Sequence, residues 1–519
     1  MKEKFKYLLS VVALAMFLVC CTDGGEKEIV KPDPDPDPNP PVELTDNEYT
    51  NYWIYDKMKR VYLWNDKLPA SPNYKNDPEK FFESILFDYK KVTGDRFSWI
   101  EADQSKTKSS SEMHIGFKVV TASYFVDKEA RSSSWGLFVI SVQKGSDAEA
   151  KGLKRGNIIY AVDGTEITSN NYRTILNKAS FQLSVYNSEG KKVTLQTINS
   201  SNTEYSPLFM SKIIQEGGKK IAYVKYDEFT RGLNNSTANF DYDKELISSI
   251  SGLQNYDEFI LDLRYNPGGY LSSAMALASI ILPSRDGKIF AKEQYNPYFE
   301  DSLVNIYGKN GLNDYFINNL KNIGGPNVDI PKSNLSRVFI LANNFSASAS
   351  ELVIHGLKPH MTVIHIGETT VGKDKASINV NTDDKRIKWQ LQPLVSRLTN
   401  ANGEGNYIYG IKPEPANEVL EWEECYAQQD AYYIDDDGNR VDVKVPLASP
   451  WGGGFKEYGD KFDPLIAEAI AQITGKKRVK NIKSVTQSGE IKKVPYVKAD
   501  ESNYKTIIDA SKFNLPDKK

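Results

Sequence analysis

The stretch EFILDLRYNPGGYLSSAMALASIIL, residues 258–282, indicates the fold class of the longest part of the chain. It opens with an apolar run that is typical of a buried strand. It closes with small and apolar residues over the length of a helix, and a Pro-Gly-Gly turn separates the two halves. A strand that leads at once into a helix is the building unit of α/β domains.

The same alternation extends over residues 206–475. The runs KIAYVKYDEF and RVFILAN predict further buried strands, and YDKELISSISGL predicts a helix between strands. We therefore expect an α/β layer domain here. Residues 284–335, rich in Asn, Tyr and Gly, are interpreted as an insertion such as a lid, and the lysine-rich tail 476–519 as a short accessory element.

The N-terminus carries a targeting signal. Lys2, Lys4 and Lys6 precede the apolar run Leu8–Val19, which is too short to span a bilayer. The signal, residues 1–21, ends in FLVCC, which resembles a bacterial lipobox with Cys21 as the lipidated residue. Lipidation at Cys20 and cleavage to a soluble secreted protein are the alternatives.

A spacer follows in residues 22–45. Its alternating prolines, KPDPDPDPNPP at 31–41, favour an extended polyproline II segment of about 34 Å. With lipid on Cys21, the mature chain keeps Cys425 as its single thiol, so no internal disulfide forms. The acidic surroundings of Cys425 argue against a catalytic thiol.

Composition limits the function classes. The 519 residues suffice for about three domains, and 40 % hydrophobic and 11 % aromatic residues are typical of globular proteins. A net charge of -3 shows no general affinity for nucleic acid. We expect contact with a membrane through the lipid anchor only.

Two smaller domains are predicted before residue 206. Residues 46–105 show apolar residues at helical spacing and predict a small helical domain. Residues 106–205 contain short strands, a turn at Asp163-Gly164 and a helix-like stretch at 170–179. The run VQKGSDAEAKGLKRGNIIYAVDG, 142–164, resembles a PDZ domain. The resemblance implies a carboxylate-binding loop at Ile115, Gly116 and Phe117, which binds the C-terminus of a peptide.

The stretch NNFSASASELVIHGL, 343–357, raises the question of a serine nucleophile. A serine hydroxyl needs a base to remove its proton. Three of the four histidines, His355, His360 and His365, follow the serines at five-residue spacing, which places His355 and His360 on different helical faces. A zinc site formed by the three is an alternative. A Ser-His-Asp hydrolase also lacks its usual G-x-S-x-G turn. Lysine is the other candidate base.

The motifs SASASE, 346–351, and GETTVGK, 367–373, resemble the carboxyl-terminal processing (tail-specific) serine proteases. The resemblance implies Ser348 as the nucleophile and Lys373, 25 residues later, as the general base. It also implies a protease domain with a ClpP/crotonase-like α/β fold. A neutral lysine near pH 7 requires a pKa about three units below normal, or roughly 4 kcal/mol.

A third motif, LDLRYNPGGYL at 261–271, resembles the family's D-L-R-x-N-P-G-G turn. The resemblance implies an oxyanion hole formed by the N–H of Gly268 or Gly269 together with that of Ala349. The group that orients Lys373 stays open. Pro359 and Ser377 stand where relatives have Asp or Gln, and Ser377 and Glu351 are the candidates.

The sequence therefore predicts an envelope serine endopeptidase of the tail-specific type, anchored by lipid in the outer membrane and facing the periplasm or the cell surface. Its substrates would be unfolded or flexible proteins and peptides with accessible C-termini. No metal or organic cofactor is implied. The alternative is a PDZ-containing lipoprotein that binds peptides without cutting them.

Overall fold

The structure is a computed structural model that describes residues 44–102, 114–126, 133–202, 204–233, 239–434, 438–450, 454–478 and 505–507. The predicted export signal, the lipidation site at Cys21 and the spacer at 31–41 lie outside these residues. Among the helices of the described part, none combines the length and the apolar character that crossing a bilayer would take.

The N-terminal region is helical, as predicted. It comprises α1 (Asp46–Val61), α2 (Pro78–Ile85) and a short strand, β1 (Trp99–Ala102). Thr45 begins α1, because its hydroxyl accepts the N–H of Glu48 while the Glu48 carboxylate accepts the N–H of Thr45. The apolar faces of both helices join the main core of the chain.

A β-rich region follows. Its elements are β2 (Phe117–Tyr124), β3 (Ser134–Val142), α3 (Asp147–Ala150), β4 (Ile158–Val162), β5 (Thr165–Glu166), β6 (Ser180–Phe181), β7 (Leu183–Tyr186), β8 (Lys192–Thr194) and β9 (Ile198–Asn199). The sheet runs in the order β2-β3-β4-β7-β8, and β5 pairs with β4. Within the described part of the chain, β2 therefore ends the ladder.

The helix-like stretch predicted at 170–179 is wrong. The structure has consecutive turns over 169–176, one of them closed by a bond from the N–H of Ile175 to the carbonyl of Asn171, but no continuous helix. Asn171 explains part of this difference, because its side chain accepts the N–H of Thr168 and donates to the carbonyl of Glu166. Such bonds from a short polar side chain compete with helical backbone bonds.

The remaining elements combine strands and helices in the α/β arrangement that the sequence predicted, although the strands β17 to β20 follow one another without a helix between them. They are β10 (Leu208–Glu216), β11 (Lys219–Tyr226), α4 (Asp241–Gly252), β12 (Glu258–Asp262), β13 (Gly268–Tyr270), α5 (Leu271–Ile281), β14 (Ile289–Tyr295), α6 (Pro297–Tyr307), β15 (Asn313–Tyr315), β16 (Arg337–Ala342), α7 (Ala349–Leu357), β17 (Thr362–Gly367), β18 (Lys375–Ser377), β19 (Trp389–Gln392), β20 (Leu394–Thr399), α8 (Glu421–Cys425), β21 (Tyr426–Ile434), β22 (Arg440–Pro450), α9 (Pro464–Thr474) and β23 (Lys505–Ile507).

Five of these strands form the central sheet, in the order β10-β11-β12-β16-β17. All pairs are parallel except β10 with β11. Alternate residues of each strand enter opposite cores. In β16, Val338 and Ile340 belong to the core shared with α4, α5 and α7, whereas Phe339 and Leu341 face α9. Burial on both faces explains the continuous apolar runs of the sequence.

A second sheet has the order β13-β23-β18-β20-β14-β15. Residues 284–335, interpreted above as an insertion or lid, contribute β14 and β15 to it, and Phe290 and Phe316 are buried in the main core. The lid interpretation is therefore wrong: this segment is part of the domain. One strand of the C-terminal tail, β23, also belongs to this sheet.

Candidate active site

Ser348 lies at the turn between the central sheet and a helix. Strand β16 ends at Ala342, and α7 begins at Ala349. Ser348 itself has φ +62° and ψ -112°, in the left-handed half of the backbone map that residues other than glycine seldom adopt. A strained, fully buried residue at a strand-to-helix turn is common at functional sites.

The three serines of this turn differ in their hydrogen bonds. The Ser346 hydroxyl donates to the carbonyl of Leu263 at 2.8 Å, and the Ser350 hydroxyl donates to the carbonyl of Asn266 at 3.0 Å. The Ser348 hydroxyl is buried and has no hydrogen-bond partner among the described residues. Buried polar atoms are nearly always paired, so this exception calls for a functional explanation.

The Glu351 carboxylate joins the serine turn to the lysine loop. Its Oε2 accepts the backbone N–H of Ser348 at 2.7 Å and that of Lys373 at 2.8 Å. The two backbone nitrogens are therefore no further apart than the sum of these distances, 5.5 Å. Its Oε1 accepts the N–H of Gly372 and the hydroxyl of Thr370. Burial raises the pKa of Glu351, although these four hydrogen bonds oppose the shift.

Glu351 was a candidate for orienting the Lys373 amine. The structure places its carboxylate on the backbone N–H groups at both ends of the site instead. Ser377, the other candidate, is buried in β18, four residues after Lys373. The identity of the orienting group remains a prediction.

Lys373 is fully buried. Its Nζ lies 5.2 Å from the centre of the Phe97 ring, which comes from the N-terminal region. The neighbouring Arg96 donates to the carbonyls of Gly372 at 3.2 Å and Ile408 at 3.4 Å. The N-terminal region thus helps to fix the lysine loop, a function that its sequence alone did not reveal.

The Gly-Gly turn has the geometry of a backbone donor site. Gly269 has φ +140°, and a Cβ there would lie 2.0 Å from the carbonyl oxygen of Phe229, so only glycine fits. The N–H of Gly268 already donates to the Asn266 side chain at 2.9 Å. Of the two glycines, Gly269 is therefore the better candidate donor to an oxyanion.

Asn266 is a residue that sequence reasoning missed. Its side-chain amide donates to the carbonyl of Tyr226, and its own carbonyl accepts the N–H of Ala347 at 3.1 Å. Asn343 makes a similar link, because its Oδ1 accepts the N–H of Tyr265. These asparagines connect the Gly-Gly turn to the serine turn. The Asn of the N-P-G-G motif was the available signal.

A buried ionic cluster lies behind the Gly-Gly turn. Arg264 donates to Asp262 at 2.6 Å and to Asp463 at 3.0 Å, and it also contacts Glu421. Arg155 pairs with the same two acids, Glu421 and Asp463. Burial opposes ionisation of Glu421, but the two guanidinium groups hold its pKa below the usual range. For Asp463, burial prevails and raises the pKa.

The cluster connects two regions of the molecule. Arg155 belongs to the β-rich region, between α3 and β4. Tyr265, the residue after Arg264, has φ +61° and donates its hydroxyl to Glu421 at 2.7 Å. Arg155 and the strained turn that leads to Gly269 therefore share one carboxylate.

The histidines do not form a site together. His355 Nε2 bonds the carbonyl of Glu404, and His360 Nε2 bonds that of Ile289, each at 2.8 Å. Burial lowers the pKa of His365 to about 4, and its ring nitrogens have no partner among the described residues. In that part of the chain, no group of three or more potential metal ligands clusters.

The Cys425 thiol is buried, and burial raises its pKa well above the usual range. A thiolate nucleophile is therefore disfavoured at this position.

The predicted carboxylate loop leads into strand β2, whose first residue is Phe117. Gly116 has φ +78°, and a Cβ there would lie 2.6 Å from the Ser146 side chain, so glycine is required. The Phe117 ring is buried against Phe181, with their centres 6.2 Å apart, whereas Ile115 is only partly buried. Of the two apolar side chains, Ile115 is thus the more accessible to a ligand.

Comparison with known proteins identifies the family. Residues 220–415 match the model of peptidase family S41, and residues 49–99 match that of the peptidase S41 N-terminal domain. The chain therefore contains peptidase family S41 domains. The first match includes residues 284–335, in agreement with their place in the second sheet.

Several relatives of this S41 peptidase support the assignment. It is 23 % identical over 435 residues to the carboxy-terminal processing protease CtpA of Bacillus subtilis (strain 168), covering 82 % of each chain. It is 24 % identical over 433 residues to a Staphylococcus aureus (strain COL) protein described as a CtpA-like serine protease, covering 80 % of this chain and 75 % of the relative.

A solved structure has the same fold. A crystal structure of a Bacteroides fragilis protein, described as an S41 protease, matches with a TM-score of 0.60 and 25 % identity. The match covers 82 % of this chain and 97 % of the other. The S41 peptidase is thus a serine-type enzyme related to the carboxyl-terminal processing proteases, and the comparisons do not favour the non-catalytic alternative.

Proposed function

We propose that Ser348 is the nucleophile and Lys373 the general base of this peptidase. The observation that carries the proposal is the buried hydroxyl of Ser348, which has no hydrogen-bond partner within the described ranges of the chain. It belongs to a strained residue whose backbone N–H shares a carboxylate oxygen of Glu351 with the backbone N–H of Lys373. The hydroxyls of Ser346 and Ser350 are engaged elsewhere. An unengaged hydroxyl is free to bond a base and a substrate.

In the acylation step, the neutral Lys373 amine accepts the proton of Ser348 Oγ while Oγ bonds the carbonyl carbon of the peptide. The carbonyl oxygen becomes an oxyanion. It accepts hydrogen bonds from the N–H groups of Gly269 and Ala349, the latter at the N-terminus of α7. The carbon–nitrogen bond then breaks, and the leaving amine takes the proton from the Lys373 ammonium.

In the deacylation step, water attacks the Ser348 ester and transfers a proton to Lys373. The ester bond breaks, Ser348 regains its proton, and the new carboxyl end is released. Glu351 is a positioning residue in both steps, since it holds the backbone on both sides of the site.

Substrate capture is assigned to the β-rich region. Strand β2 ends its sheet in the described part of the chain, so a peptide can add to it as a further strand. The N–H groups of Ile115, Gly116 and Phe117 would hold the terminal carboxylate of the peptide. Protein or peptide substrates with accessible C-termini follow from this arrangement.

The location of the enzyme follows from its leader sequence. We infer that lipid on Cys21 anchors the enzyme in the bacterial envelope, with the spacer at 31–41 between the membrane and the folded part. The site would then meet unfolded or flexible proteins of the periplasm or the cell surface.

Labelling with a fluorophosphonate tests the nucleophile. We expect the wild type and Ser346→Ala to be labelled, and Ser348→Ala to remain unlabelled although folded. Lys373→Arg keeps a positive charge that is not lost at neutral pH, so it should label and cleave far more slowly. Labelling of Ser348→Ala at the wild-type rate would disprove the assignment.

Peptides with a free and an amidated C-terminus test the capture loop. We expect the free form to be cleaved with a lower KM, since the amide loses a charged acceptor worth about 1–3 kcal/mol. Equal KM values, unchanged by Gly116→Trp in a variant that still folds, would refute capture at this loop.

A further inference from the structure

The C-terminal strand β23 occupies a special place in the second sheet. It pairs in parallel with β13, in the register Gly268↔Lys505, Gly269↔Thr506 and Tyr270↔Ile507. On its other side, it meets β18 at Ser377↔Ile507. Three residues from the tail thus lie between the Gly-Gly strand and the strand that follows Lys373.

The edge of β13 that meets β23 is the edge that carries the candidate oxyanion donor. The N–H of Phe229 donates to the carbonyl of Gly268, and the N–H of Tyr270 donates to the carbonyl of Phe229. Backbone groups of successive residues in a strand point to opposite sides. The N–H and carbonyl of Gly269 therefore point away from Phe229, toward β23.

A peptide that is to be cut must use the same edge. Its scissile carbonyl has to reach the N–H of Gly269 while it contacts Ser348, and Lys373 lies just two residues before β18. The gap between β13 and β18 is where a substrate strand would run. The chain's own residues 505–507 fill that gap.

We propose that β23, residues 505–507, is an internal competitor, which binds the cleft as a peptide strand and holds the enzyme in a low-activity state. The proposal rests on the function assigned above. It also defines how substrates bind: as an extended strand, parallel to β13, recognised through backbone hydrogen bonds.

The covalent connection favours the tail over a free peptide. Twenty-six residues, 479–504, join the last described residue of the α9 segment to β23. A covalent connection that spans its two sites gives a tethered ligand an effective concentration on the order of millimolar. Substrates at micromolar concentration would therefore compete poorly until the tail leaves.

Truncation after Arg478 tests the proposal, since this variant keeps α9 but loses β23. We expect kcat/KM for an unfolded protein to rise at least about tenfold, and Ser348 to react faster with a fluorophosphonate. A synthetic peptide covering residues 498–512 should inhibit the truncated enzyme competitively.

A point variant separates strand pairing from tail length. Proline at 506 removes an N–H and cannot continue a strand with neighbours on both sides. Thr506→Pro should therefore reproduce the activation seen on truncation. Thr486→Pro makes the same substitution outside β23 and should behave as the wild type.

Binding without turnover distinguishes this proposal from the catalytic assignment. In a Ser348→Ala background, a fluorescent 498–512 peptide should bind the truncated chain at least about tenfold more tightly than the full chain. Equal binding to both, or a folded truncated enzyme with unchanged or lower activity, would overturn the internal competitor. Failure of the Ser-Lys assignment would instead appear as fluorophosphonate labelling of Ser348→Ala at the wild-type rate, and it would leave this binding difference intact.

Discussion

Two buried polar regions meet at the turn that contains Arg264 and Gly269, and they differ in how their polar atoms are paired. On one side, the Ser348 hydroxyl is buried on a strained residue and has no partner among the described residues. On the other side, Arg155 and Arg264 share the carboxylates of Glu421 and Asp463. The first region leaves the Ser348 hydroxyl without a partner among the described residues, whereas the second pairs each guanidinium with more than one carboxylate.

The difference suggests separate roles for the Ser348 hydroxyl and for the buried ionic cluster. An unpaired hydroxyl costs free energy of folding, but it can bond whatever enters the site. A buried ion pair contributes little net stability, yet removing one partner is costly because the other charge stays buried. We infer that the cluster fixes the backbone of the Gly-Gly turn while Ser348 performs the chemistry.

We expect the largest effect from a substitution of Ser348 itself. Ser348→Ala should lower kcat by at least about 10⁴-fold. Its free energy of unfolding should stay within about 0.5 kcal/mol of the wild type or rise, because no hydrogen bond is lost. Cleavage of an unfolded protein and denaturation curves measure the two quantities. A large loss of stability would mean that the hydroxyl has a structural partner.

Gly269→Ala changes the Gly-Gly turn, which lies between the two regions. The new methyl group would meet the Phe229 carbonyl at 2.0 Å, so the turn must move. We expect kcat to fall by about 10²–10³-fold, the usual effect of losing an oxyanion donor. Gly218→Ala is the matched control: its φ is +76°, but nothing lies within 4 Å, so only the backbone cost of about 1–2 kcal/mol applies. Wild-type kcat in Gly269→Ala would exclude Gly269 as a donor.

Arg155→Met removes one of the two guanidinium groups from the buried ionic cluster. It leaves Glu421 and Asp463 with one guanidinium fewer, and we expect a loss of about 3–5 kcal/mol in the free energy of unfolding. Arg337→Met removes a partly buried pair with Glu258, in which the arginine side chain is 32 % exposed, and should cost about 1 kcal/mol or less. Urea denaturation of both variants measures the two losses of stability, and a larger loss in Arg155→Met would show that burial makes an ion pair costly to break.

His365 provides a second buried side chain without a hydrogen-bond partner among the described residues, and it lets us test whether such a group must be functional. Burial lowers its pKa to about 4, whereas the unfolded chain has the ordinary value near 6.5. The unfolded state therefore binds more protons between these values, and stability is fully present above pH 6.5 and falls toward pH 4. The free energy of unfolding that is lost below pH 4 through His365 is about 3 kcal/mol. His365→Leu should flatten this part of the stability profile and leave kcat unchanged at pH 7.

Ser346→Ala gives the smallest effect and reverses the pattern of Ser348→Ala. The Ser346 hydroxyl bonds the Leu263 carbonyl, so its loss should cost about 1 kcal/mol of stability. Turnover should remain measurable. If Ser346→Ala abolished cleavage without loss of stability, the roles of the two serines would be exchanged.

Local sequence patterns predicted much of the fold. The apolar runs at 220–229, 258–265 and 337–343 form strands of the central sheet, and the helical spacing near residue 54 places Ile54 and Met58 in the core. These features depend on neighbours in the chain, which the sequence displays directly. The motifs around Ser348, Lys373 and Gly269 indicated the family for the same reason, since each is short and contiguous.

Only the tertiary structure decided how these pieces meet. The Glu351 carboxylate between two backbone segments, the Arg155 contact with Glu421 and the Phe97 ring beside Lys373 join residues that are far apart in sequence or whose contacts no local pattern encodes. The same holds for residues 284–335, whose polar composition suggested an insertion although their strands complete a sheet. A sequence specifies such contacts only through the packing of the whole chain, because burial and hydrogen-bond geometry exist only once the strands and helices have come together.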